Sequence, residues 1–566
     1  RREFLFQTAD GRPERSPARW LGEVYKRQLD AYRKDNNLKS FPNIEEKLGP
    51  MKEDILNSPV SYLSFLHNNW RWTFQDVPGS LIHLNNPSII ILSDFQAGGY
   101  YGSHPDYLPP DPRLGTTDDF KKLFESLHTQ DHFVVPTAIP AWWDENSPTI
   151  QSLAGSFEEI AQIDVNGQPF SQTVYEKNGY YVSPYHAVVQ QKMTDIIEDL
   201  TLTVPGDMIF MDEVTYTDFG RIKYDFNPSS PSPAHYHEGW RQQINNRQDS
   251  RIVVKSGYDR LTEYAVGFLG TVLSSVVGFD SPFPHNLEKG QWEYYPSAPI
   301  LYGDKVLFYQ TSDQPTFSKS ALSWNLTHGV MLNWQEKGGG EGNDDNIKWL
   351  PVISDFQKYV LSAYVQNRIT NYSRLSDGVT TCNYGDTKVI TNWSETESYD
   401  YGGHAVSSDG VVVENSRLGL IAGIFNKFSG ENLAGGNQYL IVTAEQNEIV
   451  IRHPMGSNTP IKITRPSVWS DDSMIRVYAT TSSDLHEINA NIDGESIHFN
   501  LDNFISNETV LYYKVIYGIT GIQIETDEGV PKHFYLYENY PNPFNPSTKL
   551  KYDLPVDCHI NIRIFN

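Results

Sequence analysis

The sequence predicts an α/β protein in which a (β/α)8 TIM-like barrel is followed by all-β sandwich domains. Two observations lead to this prediction. Eight short apolar runs rich in β-branched residues recur across about 270 residues, and most precede a helical pattern, as in the βαβ units of a parallel sheet. Beyond residue 367 the pattern changes to strands broken by Gly, Asn and Asp, which is typical of antiparallel β domains.

The predicted elements begin with an amphipathic helix over residues 18–33, where Trp20, Val24, Ala31 and Tyr32 recur at helical spacing. The runs predicted as barrel strands are 62–66, 88–94, 132–137, 207–213, 251–256, 275–280, 305–310 and 328–334. Later predicted strands are 388–393, 410–415, 438–443, 448–451, 475–479 and 510–515. We therefore divide the chain into a barrel at 1–367, a β-sandwich at 368–470, a small β domain at 471–526 and a final segment at 533–566.

Composition restricts the classes of partner. The chain has 566 residues and a formal net charge of −25, which disfavours nucleic acid, because a phosphate backbone is bound through clustered Lys and Arg. Cys382 and Cys558 fall in different predicted domains and encode neither a disulfide framework nor a thiolate metal site. No apolar run reaches the roughly 18 residues of a transmembrane helix, so no transmembrane segment is predicted.

Candidate catalytic residues follow the predicted strands, because barrel enzymes place catalytic groups at the carboxyl ends of their strands. The run 207–213 brings Asp212 to this position, and the next run is followed by Asp259 and Glu263, four residues apart. Two carboxylates facing one cleft are what glycosidic cleavage requires. Each also has a structural explanation, since Asp212 could cap a helix, and Asp259 and Glu263 could be solvated or paired with Arg260.

Aromatic and polar side chains cluster after the same strands. An aromatic wall with a few placed polar groups suits a sugar, which presents an apolar C–H face and a rim of hydroxyls. The pair Trp142 and Trp143 could instead be core packing at the barrel rim, because Trp is highly buried on average. The residues predicted to bind substrate are Asp94, Tyr100, His104, Trp142, Trp143, Lys255 and Tyr258.

Trp20, Tyr32 and Arg33 of the first helix, with the segments 93–95, 136–143, 208–212 and 256–263, together resemble a glycoside-hydrolase-like barrel family, distantly related to the α-galactosidase and endo-α-N-acetylgalactosaminidase clans. The resemblance covers roughly residues 15–365. It implies that Asp212 is the nucleophile and that Asp259 or Glu263 is the acid/base. Phe210 stands where the α-galactosidase pattern has Lys, so the substrate is less well indicated than the enzyme class.

The tail 537–548, which reads YENYPNPFNPST, is followed by an alternating strand and Leu554-Pro555. It resembles the C-terminal sorting domain of the type IX secretion system. This resemblance implies partnership with that machinery and a secreted or surface-attached, extracellular location. Because the chain begins at Arg1 without an initiator Met and stops within this tail, we expect it to be a fragment trimmed at both ends.

Other motifs indicate neither a cofactor nor a metal. The sequence lacks a Walker loop, a Gly-x-Gly-x-x-Gly after a strand and a G-x-S-x-G elbow. The run 235–238 lacks zinc-enzyme spacing, and the glycine-rich run 338–346 is predicted as an active-site loop, with calcium left open. The predicted function is a secreted glycoside hydrolase acting on an extracellular polysaccharide or glycan. The alternative is a non-catalytic carbohydrate-binding or surface protein on a degenerate barrel.

Overall fold

The structure is a computed structural model. It describes residues 17–65, 72–81, 84, 86–99, 101–153, 157–212, 214, 224–255, 257, 259–270, 295–312, 314–336, 344–518, 535–536 and 552–553. Residues 1–516 form one compact unit and residues 517–566 another. The first unit combines a parallel barrel with antiparallel β sheets, which confirms the predicted fold class.

The barrel is a closed ring of parallel strands. Its last strand is interrupted at Leu332, so that Val330–Met331 pairs with the seventh strand and Asn333–Gln335 pairs with the first. The amide of Val60 donates to the Leu332 carbonyl at 2.8 Å and joins the two ends of the sheet. In ring order the strands are Val60–Ser64, Ile89–Ser93, Phe133–Ala138, Ile209–Met211, Ile252–Lys255, Gly267–Leu269, Leu307–Tyr309, and the interrupted eighth.

Seven of the eight predicted barrel runs overlap a barrel strand. The exception is the run 275–280, which lies outside the described residues. The sixth strand of the ring is Gly267–Leu269, which pairs with both the fifth and the seventh strand. It is only three residues long and begins with Gly267, whose missing side chain makes room for the Tyr309 ring. A strand this short, opened by a residue with low strand propensity, gives little sequence signal.

Helices surround the barrel, and their sequences explain where they begin. The helix Thr117–His128 has a capping box in which Thr116 and Asp119 exchange hydrogen bonds, and it buries a stripe of Phe120, Leu123, Phe124 and Leu127. The predicted first helix is confirmed as Pro17–Asp35. The other α-helices in the described part of the chain are Ile44–Leu48, Lys52–Asn57, Val77–Ser80, Pro148–Ser152, Phe157–Ile160, Ala187–Glu198, Tyr236–Asn245, Ser297–Tyr302, Lys319–His328, Asp344–Ile347 and Trp349–Tyr359.

A small antiparallel sheet follows the third barrel strand. It contains Trp142–Asp144, Ser171–Val174 and Lys177–Tyr181, with the last strand in the middle. We call this the rim sheet. Because it leaves the carboxyl end of a barrel strand, it lies at the mouth of the barrel, where barrel enzymes have their active sites.

The C-terminal part of the first unit is antiparallel β structure. A 13-stranded sheet contains Asn371–Ser376, Val379–Tyr384, Thr387–Asn392, Tyr399–Tyr401, His404–Val406, Gly410–Asn415, Leu420–Phe428, Glu431–Asn432, Gln438–Ala444, Glu448–Met455, Ile475–Thr480, Leu485–Ile488 and Tyr512–Tyr517. A three-stranded sheet contains Thr459–Thr464, Asn491–Asp493 and Ser496–Leu501, and Phe504–Ile505 pairs with Glu508–Thr509. Strands from the segments 368–470 and 471–526 thus share one sheet, and the division between those two domains stays a prediction. In the second unit, Tyr535–Leu536 pairs with Tyr552–Asp553.

The helix Lys319–His328 joins the barrel to the large sheet. The Tyr384 hydroxyl donates to the Thr327 carbonyl at 2.7 Å, and the Tyr364 hydroxyl donates to the Leu326 carbonyl at 2.6 Å. On the same helix, Ser323 donates to the Asp409 carbonyl at 2.8 Å. From Ala321 onward the helix is buried on all sides, polar residues included, because it packs between the barrel and the sheet. Among the described residues, no helix combines the length and apolar content needed to cross a membrane.

The helix Trp349–Tyr359 generates a prediction about stability. Burial raises the pKa of Asp355 to about 6, although Arg452 and Lys358 oppose the shift. Since an unfolded Asp titrates near pH ~3.9, the folded state loses stability as pH rises from about 4 to about 6. We expect Asp355→Asn to raise the free energy of unfolding by about 1–3 kcal/mol at pH 7 and to change it little at pH 4. Urea denaturation at both pH values measures this difference.

The exposed Asp386, for which Asp386→Asn is the matched variant, serves as the control. It should show the same small effect at pH 7 and pH 4. A loss of stability in Asp355→Asn at pH 7 would contradict this account of Asp355.

Candidate active site

The register of the barrel strands determines which side chains point inward. The Tyr62 hydroxyl of the first strand donates to the Gln310 carbonyl after the seventh strand, two positions away in the ring, so Tyr62 crosses the barrel interior. Residues paired across parallel strands point to the same face, and so do residues two apart in one strand. From Tyr62, this rule assigns the inward direction in turn to Ile91, Val135, Thr137, Phe210 and Asp212.

Asp212 follows the fourth strand and is paired with Lys255 at the end of the fifth. Because Met211 lies opposite Val254, the next residues, Asp212 and Lys255, are neighbours. The Lys255 ammonium donates to Asp212 Oδ2 at 2.8 Å. Asp212 is only 8% exposed, and its amide donates to the Ala138 carbonyl of the third strand at 2.8 Å. The structure therefore brings together two of the predicted site residues at the mouth.

Asp94 is a second carboxylate at the mouth. It follows the second strand with a left-handed backbone, at φ 62°, and is 6% exposed. Its Oδ2 accepts a short hydrogen bond from the Ser64 hydroxyl and lies 3.5 Å from the Ser93 hydroxyl. Ser64 lies opposite Ser93 in register, and both share the inward face with Tyr62. The carboxylate of Asp94 thus turns back over the inner side of the first two strands.

Tyr107 supports the site from the loop after the second strand. Its hydroxyl accepts a short hydrogen bond from the Ile139 amide, one residue beyond the carbonyl that receives the Asp212 amide. Burial raises the pKa of Tyr107, and the negative charges of Asp106 and Asp212 raise it further. The phenol therefore stays protonated and fixes the end of the third strand beside Asp212.

The aromatic residues predicted to bind substrate are part of a buried core. Trp142 and Trp143 are at most 1% exposed, and their indole nitrogens donate to the carbonyls of Gln172 and Pro140 at 3.3 and 2.9 Å. His104 is 2% exposed and contacts the Trp142 ring, and burial lowers its pKa to about 3. The three side chains are thus buried in this structure, and their contact with substrate stays a prediction. The positions of Trp142 and Trp143 agree with the other interpretation, core packing at the barrel rim. Burial of a large aromatic ring contributes more hydrophobic free energy than burial of a small side chain.

Asp259 and Glu263 contact side chains of the helices that surround the barrel. The Asp259 carboxylate accepts a short hydrogen bond from Tyr32, in the first helix, and Glu263 lies 4.0 Å from Arg241, in the helix Tyr236–Asn245. Both partners belong to the outer helices. Neither carboxylate is brought beside Asp212 by the register of the barrel strands, and their predicted pairing with Asp212 across one cleft stays a prediction. Tyr100 and Tyr258, predicted to bind substrate, lie outside the described residues.

Two residues were missed by sequence reasoning. Glu336 follows the eighth strand, is 8% exposed and donates its amide to the Tyr62 carbonyl. It follows a strand as Asp212 does, but Gln335, paired with Tyr62, takes the inward position there, so alternation places Glu336 on the outer side of the strand. Tyr175, at the hairpin tip of the rim sheet, is 62% exposed and stacks on Tyr101 with 5.8 Å between the ring centroids. The two central residues of its turn, Tyr175 and Glu176, have positive φ but are not the Gly or Asn usual there. The sequence therefore gives no hairpin signal at this turn.

In the described part of the chain, no group of three or more His, Cys, Asp or Glu side chains is arranged to hold a metal ion. The run 235–238 ends a 3-10 turn and begins the helix Tyr236–Asn245, where Glu238 pairs with Arg241 at 2.5 Å. The glycine-rich run 338–346 lies largely outside the described residues.

Comparison with known proteins gives structural similarity only. No protein-family model matches the chain, and no curated protein matches it in sequence. Among solved structures, the chain is similar to the α-N-acetylgalactosaminidase NagBb from Bifidobacterium bifidum. A quadruple mutant of that enzyme matches 65% of this chain at 14% identity with a TM-score of 0.53, and its GalNAc complex matches 65% at 13% identity with a TM-score of 0.51. The chain spans 62% of the length of that enzyme. At this identity the similarity shows a shared barrel fold.

The ion pair at the mouth generates a prediction. Removing one partner leaves the other charge without this contact in a largely buried place, at 28% side-chain exposure for Lys255 and 11% for Asp212. Lys255→Met and Asp212→Asn should therefore each lower the free energy of unfolding by about 1–3 kcal/mol. The double variant should lose less than the sum of the two, with a coupling energy of about 1 kcal/mol or more. Chemical denaturation of the four proteins of this double-mutant cycle measures the coupling. Additive effects would show that the 2.8 Å contact does not stabilise the fold.

Proposed function

We propose that the chain is a glycoside hydrolase whose active site is the mouth of the barrel. The observation that carries this proposal is the position of Asp212, which points inward at the carboxyl end of the fourth strand and is bound by Lys255. Barrel enzymes place catalytic groups at this end of their strands. The shared fold with an α-N-acetylgalactosaminidase supports the same reaction class without establishing it.

Asp212 suits the role of nucleophile or electrostatic stabiliser. Glycosidic cleavage develops positive charge at the anomeric carbon, and a carboxylate on one face of the sugar ring stabilises or captures that centre. A carboxylate held at 2.8 Å by an ammonium group is fixed in direction, as a group that stabilises developing charge must be. Lys255 acts here as a positioning residue and, on the sugar side, as a donor to a substrate hydroxyl.

For the second carboxylate we propose Asp94 in place of Asp259 and Glu263. Asp94 reaches the inner face of the second strand, and Asp212 that of the fourth. Neighbouring strands are about 4.8 Å apart, so the two backbones lie roughly 10 Å apart across the third strand, and a sugar fits between their side chains. A carboxylate separation of about 5–5.5 Å would predict retention of anomeric configuration, and about 6.5–9.5 Å would predict inversion.

The substrate class we propose is a neutral glycan. The net charge of −25 disfavours polyanionic chains. The similar enzyme is described as an α-N-acetylgalactosaminidase, so α-linked N-acetylgalactosaminides are the first compounds to test, followed by other α- and β-linked glycans. The exposed Tyr175 offers an apolar ring face near the mouth for a sugar beyond the cleavage point.

A second candidate function is carbohydrate binding without catalysis. It is favoured by one observation: Asp259 and Glu263, the acid/base candidates from sequence, contact Tyr32 and Arg241 instead of Asp212. On this alternative the protein would bind glycans at the mouth and leave them intact.

We also propose that the protein is exported by type IX secretion and acts outside the cell, either released or attached to the surface. This proposal rests on the motif at 537–548, which lies outside the described residues. An extracellular location suits an enzyme whose substrate is a polymer.

The proposed mechanism predicts a selective loss of hydrolysis. Asp212→Asn should lower kcat/KM on any substrate that the wild type cleaves by about a thousandfold or more, and Asp94→Asn by about a hundredfold or more. Asp259→Asn and Glu263→Gln are the matched controls, because they make the same change in carboxylates bound to the outer helices. They should retain activity within about tenfold, as expected of residues outside the reaction. Hydrolysis is measured on aryl glycosides and glycans, with product anomers followed by NMR.

Activity retained in Asp212→Asn would refute the proposed site. A wild-type protein that binds glycans from the panel but cleaves none of them would support the non-catalytic alternative.

A further inference from the structure

A cavity of about 450 Å³ lies at the end of the barrel opposite the mouth. It is lined by residues that precede the first four barrel strands and by the helix Trp349–Tyr359. Among these residues are Ser58, Pro87, His132, Asp207 and Lys358. Residues before the strands lie at their amino ends, so this cavity is separate from Asp212 and from the proposed active site. Its volume is within the range of roughly 300–1,000 Å³ that is usual for small-molecule sites.

His132 presents a hydrogen-bond donor to the cavity. It is 3% exposed, and its Nδ1 accepts a hydrogen bond from the Ser88 amide at 3.1 Å. Burial lowers the pKa of His132 to about 4, so the ring is neutral near pH 7 and carries its proton on Nε2. Among the described residues, Nε2 has no hydrogen-bond partner, and the side chain lines the cavity. A donor with no protein acceptor that faces a cavity takes its partner from solvent or from a ligand.

Amide and hydroxyl groups line the same cavity. The side chains of Asn57, Asn86 and Ser354 are half-buried and make no hydrogen bond with any described residue. An Asn side chain offers two donors and two acceptor sites, and Ser offers a donor and an acceptor. Together with His132 Nε2, these groups form a wall of neutral hydrogen-bonding partners.

The charges around the cavity disfavour an anionic ligand. Three carboxylates, those of Asp54, Asp131 and Asp207, outnumber the ammonium of Lys358. Asp207 is held at 2.9 Å by His128 and accepts the Val134 amide at 2.7 Å, so it is occupied by the protein. The remaining carboxylates can accept hydroxyl donors. The ring of Phe133 and the Pro87 side chain supply an apolar surface beside these polar groups.

We propose that this cavity is a second binding site for a neutral, polyhydroxylated ligand, namely one or two residues of a saccharide. Neutral donors and acceptors would bind the hydroxyl rim, with His132 Nε2 donating to a hydroxyl oxygen. Phe133 would contact the C–H face of the sugar ring. The site would hold a glycan at the end of the barrel opposite the mouth. It requires only binding, so its existence does not depend on hydrolysis at Asp212.

The test uses the whole chain carrying Asp212→Asn, so that any hydrolysis at the mouth does not consume the probe. The probes are galactose, N-acetylgalactosamine and maltose, each titrated to about 20 mM, because single sugar sites often bind in the millimolar range. Saturation-transfer-difference NMR measures binding. The ¹⁵N spectrum of the histidine side chains identifies His132 Nε2 as the signal that disappears in His132→Phe. Sugar is then added to the protein that retains His132, and the shift of this signal is measured.

We expect a saturable shift of the His132 Nε2 signal on addition of sugar, and the affinity read from that shift should weaken at least tenfold in Asn86→Leu. In His132→Phe the saturation-transfer signal should fall to the part that binding at the mouth supplies. Asn86→Leu tests the cavity even if His132→Phe fails to fold. It should fold normally, because Asn86 lies in a loop and makes no side-chain hydrogen bond with a described residue. Gln130→Ala is the matched control, exposed in the turn before His132 but not lining the cavity, and should bind normally. Unchanged affinity in folded Asn86→Leu, or no effect of any probe on the His132 signal, would overturn the proposal. Either result would leave the assignment of Asp212 untouched.

Discussion

The site depends on the closure of the barrel at Leu332. The Leu332 carbonyl accepts from Val60, and its amide donates to the Gln357 side chain at 2.9 Å, which in turn donates to the Leu56 carbonyl at 2.7 Å. A buried glutamine thereby supplies the hydrogen bonds that the interrupted eighth strand cannot make within the sheet. A closed ring of strands has an inner and an outer face. Side chains alternate between these two faces along each strand, so the register around the ring determines which residues point inward.

That alternation explains the distribution of roles at the mouth. Asp212 is inward because it lies two residues beyond Phe210, and Lys255 meets it because the fifth strand has the matching register. Asp94 reaches the same face by a different route, a left-handed turn that directs its carboxylate toward Ser64. The outer helices engage the other carboxylates near the fifth strand. The proposed chemistry and the proposed saccharide cavity therefore occupy opposite ends of one scaffold.

Much of this arrangement could be predicted from sequence, and the failures have physical causes. Long β-branched runs gave seven barrel strands, and the rule that catalytic groups follow strands gave Asp94, Asp212 and Lys255. The three-residue sixth strand gave too weak a signal. Sequence spacing could not show that Asp259 and Glu263 contact Tyr32 and Arg241 of the surrounding helices, because those partners are distant in sequence or lie on a separate helix. The burial of Trp142 and Trp143 depends on the rim sheet, whose hairpin lacks the usual turn residues.

A crystal structure of the protein with a glycosidase inhibitor, such as an iminosugar, tests the central claim most directly. The account predicts a sugar ring in the barrel mouth whose anomeric position lies within about 3.5 Å of the Asp212 carboxylate, the separation of reacting groups in a near-attack geometry. The Lys255 ammonium should remain in contact with Asp212. An inhibitor that binds elsewhere, or that occupies the mouth with Asp212 turned away from its ring, would contradict the account.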